Sequence, residues 1–315
     1  MLHTCHLMDG RPALGRGISF GGAFDADDDG IGGGWLEERH FDVVVNAGFD
    51  TVRLPVKWSA HMATKPPYAV DAQLLERVDW AVACGLRRDL NVVLDVHHFD
   101  ELCADPCRHA PSFLALWSQI AERYAGAEAG LCFETLNEPH DPMTAGQWND
   151  LLAAALPVIR ASNPERTVIA GPVRWNTVGG LPSLRLPADD RLVVTIHYYS
   201  PFRFTHQGAS WLDEADQWLG TTWGSAADRA RVRAELAGAA AWAADRGRPL
   251  FLGEFGACNN AGMAARAAWT ALVRSEAERL GISWAYWDFA GDFGAFDVAA
   301  HAWRPPLKEA LLGRP

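Results

Sequence analysis

The chain has 315 residues, 49% hydrophobic and 21% charged, a composition of ordinary globular proteins that excludes disorder and collagen-like repeats. Its 28 Lys and Arg stand against 39 Asp and Glu, and the formal net charge of −11 repels a phosphate backbone and argues against a nucleic-acid partner. No apolar run reaches the ~18 residues that suggest a membrane-spanning helix, so no membrane partner is expected, and the amino end lacks the basic and apolar regions of a secretory signal. The expectation is a cytoplasmic protein, or a secreted one if an export segment has been removed.

Short, β-branched apolar runs alternate with longer amphipathic ones, and each apolar run closes on polar or aromatic residues. The first strand-like run, 17–20, ends in Gly21-Gly22, and the second, 51–54, contains Arg53. Over 71–88, Leu74, Leu75, Val78, Ala81, Val82 and Leu86 recur at helical spacing behind Asp71, a suitable N-cap. Run 92–96 leads into His97-His98, and 111–124 repeats the helical stripe with Pro111 placed as a helix start. Run 131–136 ends in Asn137-Glu138-Pro139 and precedes a helix-like 145–161. Run 167–170 is followed by Trp175, and 192–196 by His197-Tyr198-Tyr199.

The segment 199–225 carries Phe202, Phe204, His206, Trp211, Trp218 and Trp223, and is too long for a plain connection. It is read as one wall of a binding groove, with His206 facing the ligand. Helix-like 226–246, run 250–253 ending at Glu254, helix-like 263–280 and run 281–286 ending in Trp287-Asp288 complete the chain. Eight strand-like runs, with no linker or break in composition, predict a single (β/α)8 barrel over 1–315, with 1–16 as a short N-terminal extension. A doubly wound open sheet is the structural alternative.

In a barrel the chemistry gathers at the carboxyl ends of the strands. Glu138 and Glu254 each close an apolar run, where partial desolvation and neighbouring charge tune a carboxyl pKa. Alone, each reads as an ion-paired rim residue. Two on well-separated strands are the usual equipment for cleaving a glycosidic bond.

Leu136-Asn137-Glu138-Pro139, Gly253-Glu254-Phe255-Gly256 and Trp284-Ala285-Tyr286-Trp287 resemble glycoside hydrolase family 5, the cellulase family. With Val-Arg-Leu-Pro-Val-Lys-Trp at 52–58, Asp-Val-His-His at 95–98 and the stretch 196–209, the resemblance covers nearly the whole chain. The last stretch is similar to the branch of thermophilic bacterial endoglucanases that also cleave mannans. The resemblance implies a retaining endo-β-1,4-glucanase without a cofactor, acting on a β-linked oligo- or polysaccharide, with mixed-linkage glucan and mannan as further substrates. A monomer is expected. An endo-β-1,4-mannanase is the alternative within the enzyme class, and a catalytically silent carbohydrate-binding barrel the alternative outside it.

Carried onto this chain, the resemblance makes Glu138 the general acid/base and Glu254 the nucleophile. Arg53 would keep Glu254 ionised and lower its pKa, Asn137 would donate to the sugar 2-hydroxyl, and His197 and Tyr199 would orient the carboxylates. His97 and His98 would bond sugar hydroxyls, and Trp287 would stack beneath the sugar at the cleavage point. From chemistry alone, Trp175, Trp211 and Trp58 are further candidates along a cleft, since sugars present flat apolar faces to tryptophan.

His97-His98, with Cys103, Cys107 and His109 close behind, raises a metal site. Adjacent residues at a strand end are expected to point apart, and Cys-x3-Cys-x-His is no established zinc spacing, so no metal is expected. The six cysteines (Cys5, Cys84, Cys103, Cys107, Cys132, Cys258) read as thiols, a Cys103–Cys107 disulfide remaining open under oxidising conditions. Where the family commonly presents an asparagine and then a glutamate, this chain has Gly22 and Asp25. Asp25 is therefore a candidate substrate contact with altered reach. The acidic run 25–30 resembles a calcium-loop fragment but lacks its closing glutamate. Asp288 likewise stands where a glutamate is common.

Overall fold

The structure, a computed structural model, describes residues 7–8, 11–25 and 34–313. Cys5 and the acidic run beyond Asp25 lie outside the described residues. Eight parallel strands close on themselves: β1 (Arg16–Ser19), β2 (Thr51–Val56), β3 (Asn91–Val96), β4 (Leu131–Glu134), β5 (Val168–Ala170), β6 (Leu192–Tyr198), β7 (Leu250–Phe255) and β8 (Ser283–Tyr286). Each pairs with the next in chain order and β8 pairs with β1, which settles the choice against an open sheet. Strands β2 to β7 are buried along their whole length, the signature of parallel strands covered on both faces.

Outside them run α1 (Glu38–Ala47), α2 (Ala72–Leu86), α3 (Pro106–Arg123), α4 (Ala145–Ser162), α5 (Ala226–Ala244), α6 (Met263–Arg279) and α7 (Pro305–Leu312). Between β5 and β6 a 3₁₀ segment, Val178–Ser183, takes the helix's place. Asp71 caps α2 as expected, accepting from the N–H groups of Gln73 and Leu74. Pro111 does not start its helix. Pro106 occupies the first turn behind Asp105, which accepts from Arg108 N–H, and Pro111 lies inside α3. Strand β4 stops at Glu134, two residues short of the apolar run that suggested it, and β6 runs two residues farther than expected, to Tyr198.

Inside the barrel, side chains alternate with a period of two, and their chemistry changes along the axis. The lower layer is apolar: Val93, Cys132, Ile169, Val193, Phe251 and Ala285 pack with Leu14. Leu14 belongs to the segment read as an extension, yet it closes the barrel floor, and its carbonyl accepts from Thr51 Oγ1. Two residues farther along β3, β4 and β6 come Asp95, Glu134 and Thr195, all fully buried. The polar end of the barrel is therefore written into the strands themselves, before any loop begins.

Candidate active site

Arg53, on β2, lies fully buried at the centre of that polar layer. Its Nη1 donates to Glu254 Oε1 at 2.7 Å, its Nε to Glu134 Oε2 at 2.7 Å, and its Nη2 to Asp95 Oδ2 at 2.9 Å and Asn137 Oδ1 at 2.8 Å. One guanidinium thus faces three buried carboxylates. This fixes Arg53 in a single pose, and by engaging the oxygen of Asn137 it turns the amide nitrogen outward as a donor.

Glu254 ends β7 facing His197 of β6 through a shift of register: Ile196 pairs with Leu252, but His197 pairs with Glu254. The skipped residue is Gly253, where a Cβ would lie 2.5 Å from Thr195 Oγ1 and 3.3 Å from His197 Nε2. Only glycine lets the two strands close at this bulge. His197 Nδ1 then sits 2.7 Å from Glu138 Oε1 and 3.6 Å from Glu254 Oε2. A ligating atom from each of Glu138, His197 and Glu254 lies within 4.8 Å of the other two. Tyr199 completes the group, its hydroxyl donating to Glu254 Oε2 at 2.8 Å.

Glu138 adopts φ +45°, in the left-handed region that non-glycine residues seldom enter. That turn swings its side chain off the axis of β4 toward β7. Asn176 holds the turn: with its amide oxygen accepting from Glu138 N–H at 3.3 Å, its amide nitrogen donates to Pro172 O at 2.9 Å. The Asn176 carbonyl also accepts from His197 N–H at 2.8 Å, tying the β5 loop to β6.

Burial pushes Glu138 up to about 7, opposed by Arg53 and His140, and pushes Glu254 up to about 7 against the pull of His197 and Arg53. Arg53 lowers Glu254, as expected, but does not set the net direction. Its charge is shared with Asp95 and Glu134, and desolvation outweighs the remaining share. Two interacting carboxyls in this range hold one proton between them near neutrality. Glu254 accepts from Arg53 and from Tyr199, bonds that favour the ionised form, whereas Glu138 has His197 as its side-chain partner. Hydrogen bonding thus favours Glu254 as the ionised partner of the pair. Burial keeps His197 below the ordinary imidazole range, so as a neutral ring it can donate to either carboxylate or accept from a protonated one.

The remaining sequence candidates surround this pair. His97 Nδ1 lies 2.5 Å from Asp95 Oδ2, and its ring stacks on Trp287 at 5.6 Å with a 6° tilt. His98, at φ +49°, folds back so that the two imidazoles meet at 4.2 Å. The expectation that they point apart fails because β3 ends at Val96, and the alternation of a strand does not extend to residues beyond its end. Asp25 is buried, its Oδ1 accepting from Gly22 N–H at 2.8 Å and its Oδ2 lying 3.9 Å from His97 Nε2.

Trp175 and Trp211 are exposed, at 46% and 53%, on different loops of this face, and Trp175 stacks on His140 at 5.3 Å. His206 is wedged between Phe202, at 4.0 Å, and Tyr199, at 4.9 Å, and is largely buried. Trp58 is not a cleft residue. It is fully buried, its indole donating to Asp95 O at 3.1 Å. Cys103 and Cys107 are free thiols. Among the described residues two clusters could hold a metal ion, Asp25-His97-His98 and Glu138-His197-Glu254, and neither contains the cysteines or His109.

Three residues of the site escaped the sequence reading: Asp95, Glu134 and Asn176. The first two had a signal, a single acidic residue two positions beyond an apolar inward one in the same run. Asn176 had none beyond its place after Trp175.

Residues 27–292 match the family model described as cellulase (glycosyl hydrolase family 5). Endoglucanase H of Acetivibrio thermocellus is 32% identical over 284 residues, which span 90% of this chain and 30% of that protein. The chain thus spans less than a third of the length of that relative. A crystal structure of Thermotoga maritima Cel5A in complex with a mannotriose substrate superimposes with a TM-score of 0.93 at 40% identity, over 96% of this chain and 99% of that one. Another, in complex with cellobiose, superimposes with a TM-score of 0.93 at 41% identity over the same shares. The chain belongs to the cellulase family, glycosyl hydrolase family 5.

Proposed function

We propose that this family-5 barrel is a retaining endo-β-1,4-glucanase. The observation that carries the reading is the close approach of Glu138 and Glu254, with oxygens within 4.8 Å of one another. Retaining glycosidases hold their carboxyls about 5–5.5 Å apart, and inverting ones leave room for a water between them. Glu254, the carboxylate fixed by Arg53 and Tyr199, attacks the anomeric carbon while Glu138 gives its proton to the departing glycosidic oxygen. A covalent glycosyl-enzyme results. Glu138, now ionised, takes a proton from water, whose oxygen displaces Glu254 and restores the original configuration.

Asn137, its oxygen held by Arg53, donates to the 2-hydroxyl, a contact that strengthens as positive charge develops on the sugar ring. His197, as a neutral ring, donates to Glu138 once that carboxyl has given up its proton to the departing oxygen. Trp287, backed by His97, gives the sugar a flat apolar floor, with His97, His98 and Asp25 around its hydroxyls. Trp175 and Trp211 extend the groove, and His206, packed between Phe202 and Tyr199, is read as a further sugar contact. We read residues 1–315 as one catalytic barrel unit requiring no cofactor.

Because a structural relative of 40% identity was solved with mannotriose, mannan is the second substrate class to test. Incubation with carboxymethyl cellulose, mixed-linkage β-glucan, glucomannan and galactomannan, followed by analysis of the oligosaccharides released, decides between them. Mixed oligosaccharides from the glucans support the reading, and cleavage confined to mannans replaces it with an endo-mannanase. No cleavage of any polymer leaves a binding barrel.

A further inference from the structure

Asp25, His97 and His98 stand close enough together to share one ion. We infer that these three side chains form a site for one divalent cation of borderline softness, Zn²⁺ or Cu²⁺, beside Trp287. A ligating atom from each lies within 4.8 Å of the other two, with His97 Nε2 and Asp25 Oδ2 3.9 Å apart. Ligands around a tetrahedral ion with bonds of about 2.0–2.1 Å sit roughly 3.3 Å from one another, so the Asp25–His97 pair must close by about 0.6 Å and the widest pair by up to about 1.5 Å.

The surroundings are those of a metal ligand set. His97 Nδ1 is engaged by Asp95 Oδ2 at 2.5 Å, which fixes the tautomer and leaves the Nε2 lone pair facing Asp25. Carboxylate–histidine–metal is the common second layer of such sites, and here the carboxylate is itself anchored by Arg53. Gly22 N–H holds Asp25 through Oδ1, leaving Oδ2 toward His97 Nε2. Two imidazoles and one carboxylate suit Zn²⁺ and Cu²⁺ rather than Mg²⁺ or Ca²⁺. An ion here covers polar atoms assigned above to sugar hydroxyls and acts as an inhibitor competing with substrate; that consequence alone rests on the glucanase reading.

The test uses the full chain with His3→Ala and His6→Ala, which removes competing ligands near the amino terminus, titrated with CuCl₂ and followed by electron paramagnetic resonance. One equivalent should bind, with nitrogen couplings from two imidazoles. His98→Ala and Asp25→Asn should each weaken binding at least tenfold, and His61→Ala, a histidine elsewhere on the surface, should leave it unchanged. Zinc titrated by calorimetry should show the same stoichiometry and the same losses. Absence of a one-to-one complex, coupling to a single imidazole, or affinity unaffected by His98→Ala overturns the inference. Because these readouts need no turnover, an inactive enzyme leaves them standing.

Discussion

At the scale of single residues the account turns on which carboxyl carries the proton. Glu254→Ala should reduce turnover to below about a thousandth of the wild type, since the covalent route is lost. Azide should then restore cleavage with inverted product, and rescue at Glu138→Ala instead would exchange the two roles. Both carboxyls are pushed up to about 7, so kcat/KM should trace a bell. It falls on the acid side as Glu254 takes up a proton, and on the alkaline side as Glu138 loses its own. Glu138→Gln should therefore abolish the alkaline limb on activated aryl glycosides, which need no proton donor, and slow them far less than natural substrates. A retained alkaline limb would place the proton elsewhere. The two glutamates were legible in the sequence because each closes an apolar run. Asp95 and Glu134 were not read, because each lies inside an apolar run of the sequence rather than at its end, and only the closed barrel brings both onto Arg53.

At the scale of elements, the site depends on a bulge and a strained loop. Gly253→Ala places a Cβ 2.5 Å from Thr195 Oγ1, in a layer with no space to give. A loss of about 1–3 kcal/mol in chemical denaturation is expected, together with reduced kcat from displacement of His197. Unchanged stability would mean that β6 and β7 close without the glycine. In the loop Arg174-Trp175-Asn176 all three residues have positive φ, a conformation held for what it presents: Trp175 outward and Asn176 inward. Trp175→Ala should leave stability within about 0.5 kcal/mol and raise KM for long substrates several-fold with little change in kcat.

Element boundaries followed the same division between local and tertiary control. Asp71 announced α2 because an N-cap is a local device. Pro111 misled because proline suits a helix start, but Asp105 and Pro106 had already begun that helix one turn and a half earlier. Helix α1 went unread, since Val43-Val44-Val45 is a β-branched run that masks the helical spacing of its buried residues His40, Phe41 and Val44.

At the scale of the whole molecule, the polar barrel end is held against the stability of the fold. A carboxyl whose folded-state pKa is raised binds its proton more tightly folded than unfolded. Its contribution to stability is present below the unfolded value and is lost as pH rises through the folded one. For Glu138 that window runs from 4.5 to about 7. Glu138→Gln should accordingly raise the Tm at pH 8 and leave it nearly unchanged at pH 4.5; a gain of equal size at both would assign the effect to packing. The barrel itself was legible, because eight apolar runs separated by amphipathic segments admit few arrangements. The meeting of His97 with His98, and the distance between Glu138 and Glu254, were not, since both are set by loops entering the left-handed region at single residues.

The central claim, a retaining double displacement by Glu254 and Glu138, is tested most directly by proton nuclear magnetic resonance of the first products released from a soluble cello-oligosaccharide, observed before mutarotation. The account predicts that the β-anomer appears first and decays toward equilibrium. Initial appearance of the α-anomer would contradict it and require a water between the two carboxyls.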